Sequence, residues 1–146
     1  MDKKDEKILE TLKADSSLTT RQISRKTLMP VTTVHNRIRK LREEGVIKQY
    51  TVKVDYRKLG KTFTAILLVS CDYKVLRETG RNQHDLVKEM MKLAEVESAD
   101  IVTGATDIVL RVRTKDVEAF DEFLFRKLQT ISGVEKTQSL VVINER

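Results

Sequence analysis

Apolar residues recur at helical spacing in the first part of the chain. One stripe places a helix of about three turns near the N-terminus. It consists of Ile8, Leu9 and Leu12. Thr19, three residues before Gln22, forms a capping-box pattern that predicts a second helix over about 19–27. Two short amphipathic helices are therefore expected before residue 28.

A third helix is expected over about 31–44. Pro30 suits a helix start, where the missing N–H costs nothing, and Gly45 suits the residue that follows a helix. Its buried stripe is expected at i, i+4 and i+7, which are Val34, Ile38 and Leu41. Three short helices in this order are typical of a helix-turn-helix domain.

Alternation replaces helical spacing after Gly45. Apolar residues at 46 or 47 and at Tyr50, Val52 and Val54 alternate with polar ones, which predicts a two-stranded ribbon serving as wing and linker. We expect a winged helix-turn-helix over residues 1–50, a linker strand or hinge over 51–61, and a second domain over 62–146.

The second domain alternates strands and helices. The expected elements are strands at 63–69, 96–103, 108–113 and 134–143, and helices at 85–93 and 117–128. The order β-α-β-β-α-β predicts an α+β, ferredoxin-like sandwich with two helices on one face of an antiparallel sheet. Residues 73–83 fit this order of elements least well, because they make a long connection between the first strand and the first helix. They are expected to extend the first strand or form a mobile hairpin.

The second face of such a sheet is left without helices. Apolar strand residues are expected to bury a face against another subunit, which makes the protein at least a dimer. These residues are Ile66, Leu68, Ile108, Leu110, Val112 and Val141.

Charge is divided unevenly between the two halves. The 146 residues carry a formal net charge of +6. Residues 1–60 hold 15 Lys and Arg against 8 Asp and Glu, or +7, and residues 61–146 hold 13 against 14, or −1. The basic half favours a polyanionic partner such as double-stranded DNA, although small domains also carry unequal charge by chance.

The cysteine content and the hydropathy of the chain narrow the classes of protein to which it can belong. Cys71 is the single cysteine, so the chain forms no internal disulfide or zinc cluster, and a buried, packed side chain is expected. We expect no metal, no cofactor and no enzymatic activity, because no catalytic constellation or phosphate-cradling glycine motif is recognisable. A cytoplasmic, reducing location without secretion signal or membrane contact is expected.

The third helix is the expected DNA-reading element. Its outward face carries hydroxyl, imidazole, amide and guanidinium groups, which match the hydrogen-bonding edges of bases in the major groove. We expect Thr32, Thr33, His35 and Asn36 at bases, Arg39 at a base or a phosphate, and Arg37 and Lys40 at phosphates. Thr19, Thr20 and Arg21, at a helix start, are expected to add a phosphate contact. A solvated polar face is the alternative interpretation.

Three sequence runs resemble the Lrp/AsnC, or feast/famine, family across nearly the whole chain. They are "RIRKLREEGVI" at 37–47, "EVESADIVTGATDIVLRV" at 95–112 and "LQTISGVEKTQSLVVI" at 128–143. The resemblance implies a domain that dimerises through its sheet and often builds larger rings, so assembly of the dimer into tetramers or octamers is left open. It also implies that an amino acid or related metabolite binds at interfaces near the loop between the second and third strands of that domain.

In this chain that loop comprises Thr103, Gly104, Ala105, Thr106 and Asp107. Gly104 permits a tight turn and a close backbone approach to a ligand, and Thr106 and Asp107 carry groups suited to an ammonium or hydroxyl. A plain hairpin turn would have the same sequence.

Together these features predict a sequence-specific transcriptional regulator, either activator or repressor. It is expected to bind pseudo-palindromic operators whose half-sites lie about 34 Å apart, and to contact the transcription machinery. The alternative is an architectural DNA-packaging protein that binds mainly phosphate with little sequence preference.

Overall fold

The structure is a computed structural model that describes residues 1–145. The chain divides into two compact units, Met1–Val54 and a second that begins at Asp55. The division lies within the expected linker at 51–61. Within residues 1–145, no helix combines the length and apolarity that crossing a membrane requires.

The first unit contains the three predicted helices. They are α1 (Lys3–Ala14), α2 (Thr20–Thr27) and α3 (Val31–Glu43). The predicted capping box of α2 is confirmed, because Thr19 Oγ1 accepts from the Gln22 N–H at 3.3 Å and the Gln22 side chain accepts from the Thr19 N–H at 2.8 Å. Asp2 and Asp5 form the same reciprocal arrangement at the start of α1.

One apolar core joins these three helices. Ile8 of α1, Ile23 of α2 and Val34 of α3 are buried together, as the helical spacing predicts. The short turn between α2 and α3 contains Leu28, whose φ of 57° is left-handed, and Ser24 Oγ donates to the Met29 carbonyl across it. This turn sets the angle at which α3 leaves α2.

The predicted ribbon is wrong. Residues 46–54 form no strand in the described chain, and residues 56–60 form hydrogen-bonded turns rather than a linker strand. Tyr50, Val52 and Val54 are all exposed. A strand needs a neighbour for its N–H and C=O groups, and this unit presents none beside the segment.

The second unit confirms the predicted order. Its elements are β1 (Phe63–Cys71), α4 (Tyr73–Glu78), α5 (Gln83–Met90), β2 (Val96–Ile101), β3 (Ile108–Thr114), α6 (Val117–Phe123) with a π-helical turn (Leu124–Leu128), and β4 (Val134–Val141). The antiparallel sheet has the order β2-β3-β1-β4, as in a ferredoxin-like sandwich.

The segment 73–83 is neither a strand extension nor a hairpin, so that expectation is wrong. Asp72 caps a short helix, α4, by accepting from the N–H groups of Lys74 and Val75. Leu76 is its buried anchor, and Arg81 N–H donates to the Leu76 carbonyl where the helix ends.

The open face of the sheet differs from the predicted set. Ile108, Leu110 and Val112 are fully buried and face the helices, because they pair in register with core residues of β1. The residues that alternate with them along the strands point to the open face. These are Ile66, Leu68, Val109 and Leu140, and each is at least partly exposed. An apolar open face exists, but it is smaller than expected.

A charged cluster occupies one end of that face. A β-bulge at Glu97 turns its carboxylate toward Arg113, whose side chain also binds Glu145 and Thr64. The Tyr56 ring lies 4.1 Å from the Arg113 guanidinium carbon. The bond to Arg113 lowers the pKa of Glu145 to about 2, so this buried arginine stays paired at neutral pH.

Gly133 offers a direct test of how α4 packs. Its φ is +103°, and an added Cβ would lie 2.6 Å from Leu76 Cδ2. We expect Gly133→Ala to lower the free energy of unfolding of this unit by about 2 kcal/mol, since it combines backbone strain with a clash. Gly80→Ala, with positive φ but open space around it, should cost only about 1 kcal/mol. Equal urea-unfolding midpoints for the two variants would contradict this packing.

Candidate nucleic-acid interface and ligand-binding loop

The outward face of α3 is a strip of exposed polar side chains. Thr32, His35, Asn36 and Arg39 are exposed, whereas Val34 on the opposite side is fully buried. The buried side fixes the rotation of α3, so the polar strip points away from the core. Its donors and acceptors suit base edges in a major groove.

The two flanks of this strip differ. On one flank, a hollow of about 640 Å³ is lined by the polar residues His35, Arg39, Arg42, Glu43 and Lys48 and by the apolar Ile38 and Ile47. Three of the five polar residues are cationic at neutral pH and one, Glu43, is acidic. On the other flank, Thr33, Asn36 and Lys40 lie beside the acidic start of α1.

Arg37 does not belong to the free surface, which corrects the expectation that it binds phosphate. Its Nη1 lies 2.8 Å from Asp2 Oδ2 and 2.7 Å from Asp5 Oδ1, and only 26% of its side chain is exposed. This guanidinium ties α3 to the start of α1. A phosphate would have to displace two carboxylates to reach it.

Hydrogen bonds also set the charge states of this clamp. The Asp5 N–H, and after it Arg37, lower the pKa of Asp2 to about 2. The Asp2 N–H and Arg37 lower the pKa of Asp5 below its ordinary value. Both carboxylates are therefore ionised at neutral pH and hold Arg37 in place.

The start of α2 is placed as expected. The Thr19 side chain caps the helix, and Thr20 and Arg21 occupy its first turn, where a helix provides no acceptor for the N–H groups. Arg21 is exposed. Such N–H groups suit a phosphate oxygen.

Basic residues dominate the charge of α2 and α3. No acidic residue occurs between Asp15 and Glu43, and that stretch contains seven basic residues. They are Arg21, Arg25, Lys26, Arg37, Arg39, Lys40 and Arg42. Glu43 and Glu44 pair loosely with Arg39 and Lys40 at 3.9 and 3.7 Å, and exposed pairs of this kind are weak.

Lys48 was missed by the sequence interpretation. It was counted as a polar position of the predicted ribbon, yet it lines the same hollow as Arg39 and Arg42. Its position follows from the chain reversal after Gly45, where the Ile47 N–H donates to the Leu41 carbonyl. In the sequence, only the basic character of this segment indicated that Lys48 belongs to the DNA-binding surface.

The loop between β2 and β3 has an exposed tip and an anchored end. Thr103, Gly104 and Ala105 are exposed, Thr106 is half-buried, and Gly104 has a φ of +123°, which few other residues adopt. The anchor is Asp107, whose Oδ2 accepts from the Cys71 N–H at 2.7 Å.

Asp107 is not free for an ammonium group, contrary to expectation. Its Oδ1 accepts from the Tyr73 hydroxyl at 2.5 Å and from Gln83 Nε2 at 3.3 Å. The hydrogen bond from the Tyr73 hydroxyl to Asp107 raises the pKa of Tyr73 to about 12. Burial, and after it the charge of Asp107, raises the pKa of Cys71 to about 11. Cys71 is a packed, protonated thiol, as expected.

Comparison with known proteins identifies both units. A family model described as the Lrp/AsnC ligand binding domain matches residues 64–146, and one described as winged helix-turn-helix DNA-binding matches residues 1–48. The chain belongs to the Lrp/AsnC family. The resemblance seen in the sequence is thereby confirmed, as is the winged helix-turn-helix class, although the ribbon itself is not formed here.

Relatives of this Lrp/AsnC protein match along nearly their entire length. An HTH-type transcriptional regulator of Pyrococcus furiosus is 35% identical over 141 residues, which cover 97% of this chain and 91% of the relative. An HTH-type transcriptional regulator of Pyrococcus horikoshii is 35% identical over 143 residues, covering 98% and 89%. The chain is a transcriptional regulator with a helix-turn-helix DNA-binding domain, and the packaging alternative is not favoured.

Solved structures agree with this assignment. A transcriptional regulator of Neisseria meningitidis in complex with L-methionine aligns with a TM-score of 0.88 at 29% identity, covering 99% of this chain and 91% of that one. LrpC of Bacillus subtilis aligns with a TM-score of 0.85 at 27% identity, covering 100% and 96%.

The clamp between α1 and α3 has a pH signature. A carboxylate whose pKa is lowered on folding contributes stability that is present above its unfolded pKa and is lost as the pH falls through the folded value. For Asp2 this window runs from about pH 4 down to about pH 2. We expect Arg37→Met to raise the pKa values of Asp2 and Asp5 and to move acid unfolding of the helical unit to higher pH.

Carboxyl-carbon NMR titration measures both pKa values directly. Arg21→Met, which removes an exposed arginine from α2, is the matched control and should leave both values unchanged. Wild-type pKa values retained in Arg37→Met would show that Arg37 does not hold this end of α1.

Proposed function

We propose that this regulator reads specific DNA sequences through α3. The observation that carries the proposal is the exposed strip of Thr32, His35, Asn36 and Arg39, rotated outward by the buried side of the helix. Because α3 is the second helix of the helix-turn-helix, its N-terminal half is the part that enters a major groove in proteins of this class.

Within this proposal the residues divide by role. Thr32, Thr33, His35 and Asn36 contact bases, and Arg39 reaches a base or the adjacent phosphate. Lys40 contacts phosphate on one wall of the groove, whereas Arg42 and Lys48 contact the other wall. This division follows the two flanks, of which one carries three cationic side chains beside the single carboxylate of Glu43 and the other borders the carboxylates of Asp2 and Asp5.

The first turn of α2 supplies a further backbone contact. Thr20 and Arg21 offer N–H groups and one guanidinium to a phosphate, while Thr19 keeps its side chain for capping. Arg37 is excluded from the set and acts instead as the residue that holds α3 against α1.

The protein acts as a homodimer. Its further assembly into tetramers or octamers is proposed from the resemblance to the Lrp/AsnC family. The open sheet face supports this, since Ile66, Leu68, Val109 and Leu140 form an apolar patch that water disfavours. A two-fold symmetric pair presents two copies of α3, which match the two halves of a pseudo-palindromic operator.

An amino acid or related metabolite binds at the loop of residues 103–107 and modulates DNA binding. Support comes from the match to a ligand-binding domain and from the relative whose structure contains L-methionine. In this chain, the exposed backbone at Gly104 and the hydroxyls of Thr103 and Thr106 offer the polar contacts. The carboxylate of Asp107 positions the loop through Cys71 and Tyr73 rather than binding ligand itself.

DNA affinity should separate base-reading from phosphate-binding residues. We expect Asn36→Ala to weaken binding to the protein's own upstream region by about 1–3 kcal/mol, and to weaken binding to random DNA much less. Lys40→Met should weaken both equally and reduce the slope of log K against log salt by about 1. Lys7→Met, an exposed lysine on α1, is the control.

Competition titrations at several salt concentrations give all of these quantities. If Asn36→Ala weakened specific and random DNA equally, α3 would not be the reading helix. The chain would then bind DNA through charge alone.

A further inference from the structure

The turn that leads into α3 carries the most exposed large apolar side chain of the helical unit, residues 1–54. Leu28 is 87% exposed, and Val31, the first residue of α3, is 43% exposed. Pro30 between them is exposed as well, whereas Met29 is buried in the core of the three helices. We call the exposed residues Leu28, Pro30 and Val31 the apolar tip.

Leu28 is also held in an unfavourable backbone conformation. It is the one residue other than glycine with a positive φ among residues 1–145. A left-handed backbone is unfavourable for a residue with a Cβ atom. Hydrogen bonds between Ser24 and Met29 hold it, because the Met29 N–H donates to the Ser24 carbonyl at 3.2 Å and Ser24 Oγ donates to the Met29 carbonyl. The free protein therefore gains neither burial nor a relaxed backbone from a leucine at this position.

The surroundings of the apolar tip indicate which kind of partner covers it. Arg25 and Lys26, in the last turn of α2, are exposed just before it in the chain, and the polar strip of α3 follows it. No acidic residue occurs between Asp15 and Glu43. An apolar patch that lies among cations and continues into the DNA-reading strip fits double-stranded DNA better than an apolar protein surface.

Val31 extends the polar strip by one turn toward the start of α3. It precedes His35 by four residues, so the two side chains lie about 40° apart around the helix and about 6 Å apart along it. Successive base pairs of DNA are about 3.4 Å apart. In a major groove, Val31 therefore meets a base pair close to the one that His35 meets.

The chemistry of the major groove selects one contact for such side chains. The 5-methyl group of thymine is the apolar group that projects into this groove, whereas the other bases present hydrogen-bond donors and acceptors there. Leu28 and Val31 have neither donor nor acceptor in their side chains. Packing them on a polar base edge would leave its atoms without partners, which is unfavourable. Contact with the sugars would be apolar but would carry no sequence information.

We propose that the apolar tip recognises the 5-methyl group of one thymine in each half-site. Val31 packs on the methyl group from the first turn of α3, and Leu28 covers it from the turn before the helix. This role rests on the proposed function, since it requires α3 to enter the major groove. It adds a preference for thymine that the polar strip does not supply.

Replacement of thymine by uracil tests this contact, because it removes the methyl group and keeps every hydrogen-bonding atom of the base pair. The full chain is titrated with its own upstream region, synthesised with thymidine or with deoxyuridine, under excess random DNA. Burial of one methyl group contributes about fourfold to affinity, so the loss of two should weaken wild-type binding about fifteenfold. Single replacements along each strand then locate the thymine.

Variants of the apolar tip show whether it causes this loss. We expect Leu28→Gly/Val31→Ser to bind the two duplexes within about twofold of each other, and Leu28→Gly alone to show a reduced difference. Glycine accepts a positive φ, so Leu28→Gly should unfold at the same or a higher urea concentration than the wild type. Val52→Ser, which removes an exposed valine outside the tip, is the matched control and should keep the wild-type difference.

The outcomes separate this contact from the proposed function. A difference between the duplexes that persists in both tip variants would assign the methyl contact to another residue and overturn the proposal. Equal binding of both duplexes by the wild type would also overturn it, while a retained preference over random DNA would leave the proposed function standing. Loss of that preference as well would contradict both.

Discussion

The burial of one side of α3 is the constraint on which the DNA-binding unit depends. Val34 is fully buried against Ile8 and Ile23, and this packing fixes the rotation of α3 about its own axis. A helix turns by about 100° per residue, so a fixed Val34 dictates where His35 and Asn36 point. The reading face is thus set by apolar contacts on the opposite side of the same helix.

Electrostatics adds a second constraint of a different kind. Arg37 lies on the flank of α3 and is held by Asp2 and Asp5, the two residues that also cap α1. One pair of carboxylates therefore begins a helix and anchors its neighbour. The opposite flank has no comparable acidic lining apart from Glu43, which leaves Arg42 and Lys48 available to a polyanion.

Local patterns made most elements predictable, and long-range partners account for what was missed. Capping at Thr19 and the spacing of Val34, Ile38 and Leu41 depend on residues a few positions apart, which one sequence contains. The ion pairs of Arg37 join it to Asp5 and Asp2, which lie 32 and 35 residues away in the sequence, and no local pattern in either segment predicts them. The same holds for Asp107, whose partners Cys71 and Tyr73 lie on β1 and α4.

Other errors arise from what alternation cannot decide. A strand buried on one face and a strand at a sheet's open face both show period 2, so Ile108 and Ile66 looked alike until the register placed them on opposite faces. The helix α4 has only six residues, too few for a helical period to stand out, and its capping residue Asp72 was the available signal. The segment 46–54 alternates like a strand but has no neighbour to pair with in its own unit.

The central claim is that two copies of α3, each fixed by its buried side, read a two-fold symmetric DNA site. Hydroxyl-radical footprinting of the protein on its own upstream region tests it most directly. The account predicts two protected tracts on one face of the duplex, about one helical turn apart, which persist under excess random DNA. Uniform protection that spreads along the fragment and disappears with competitor would contradict it.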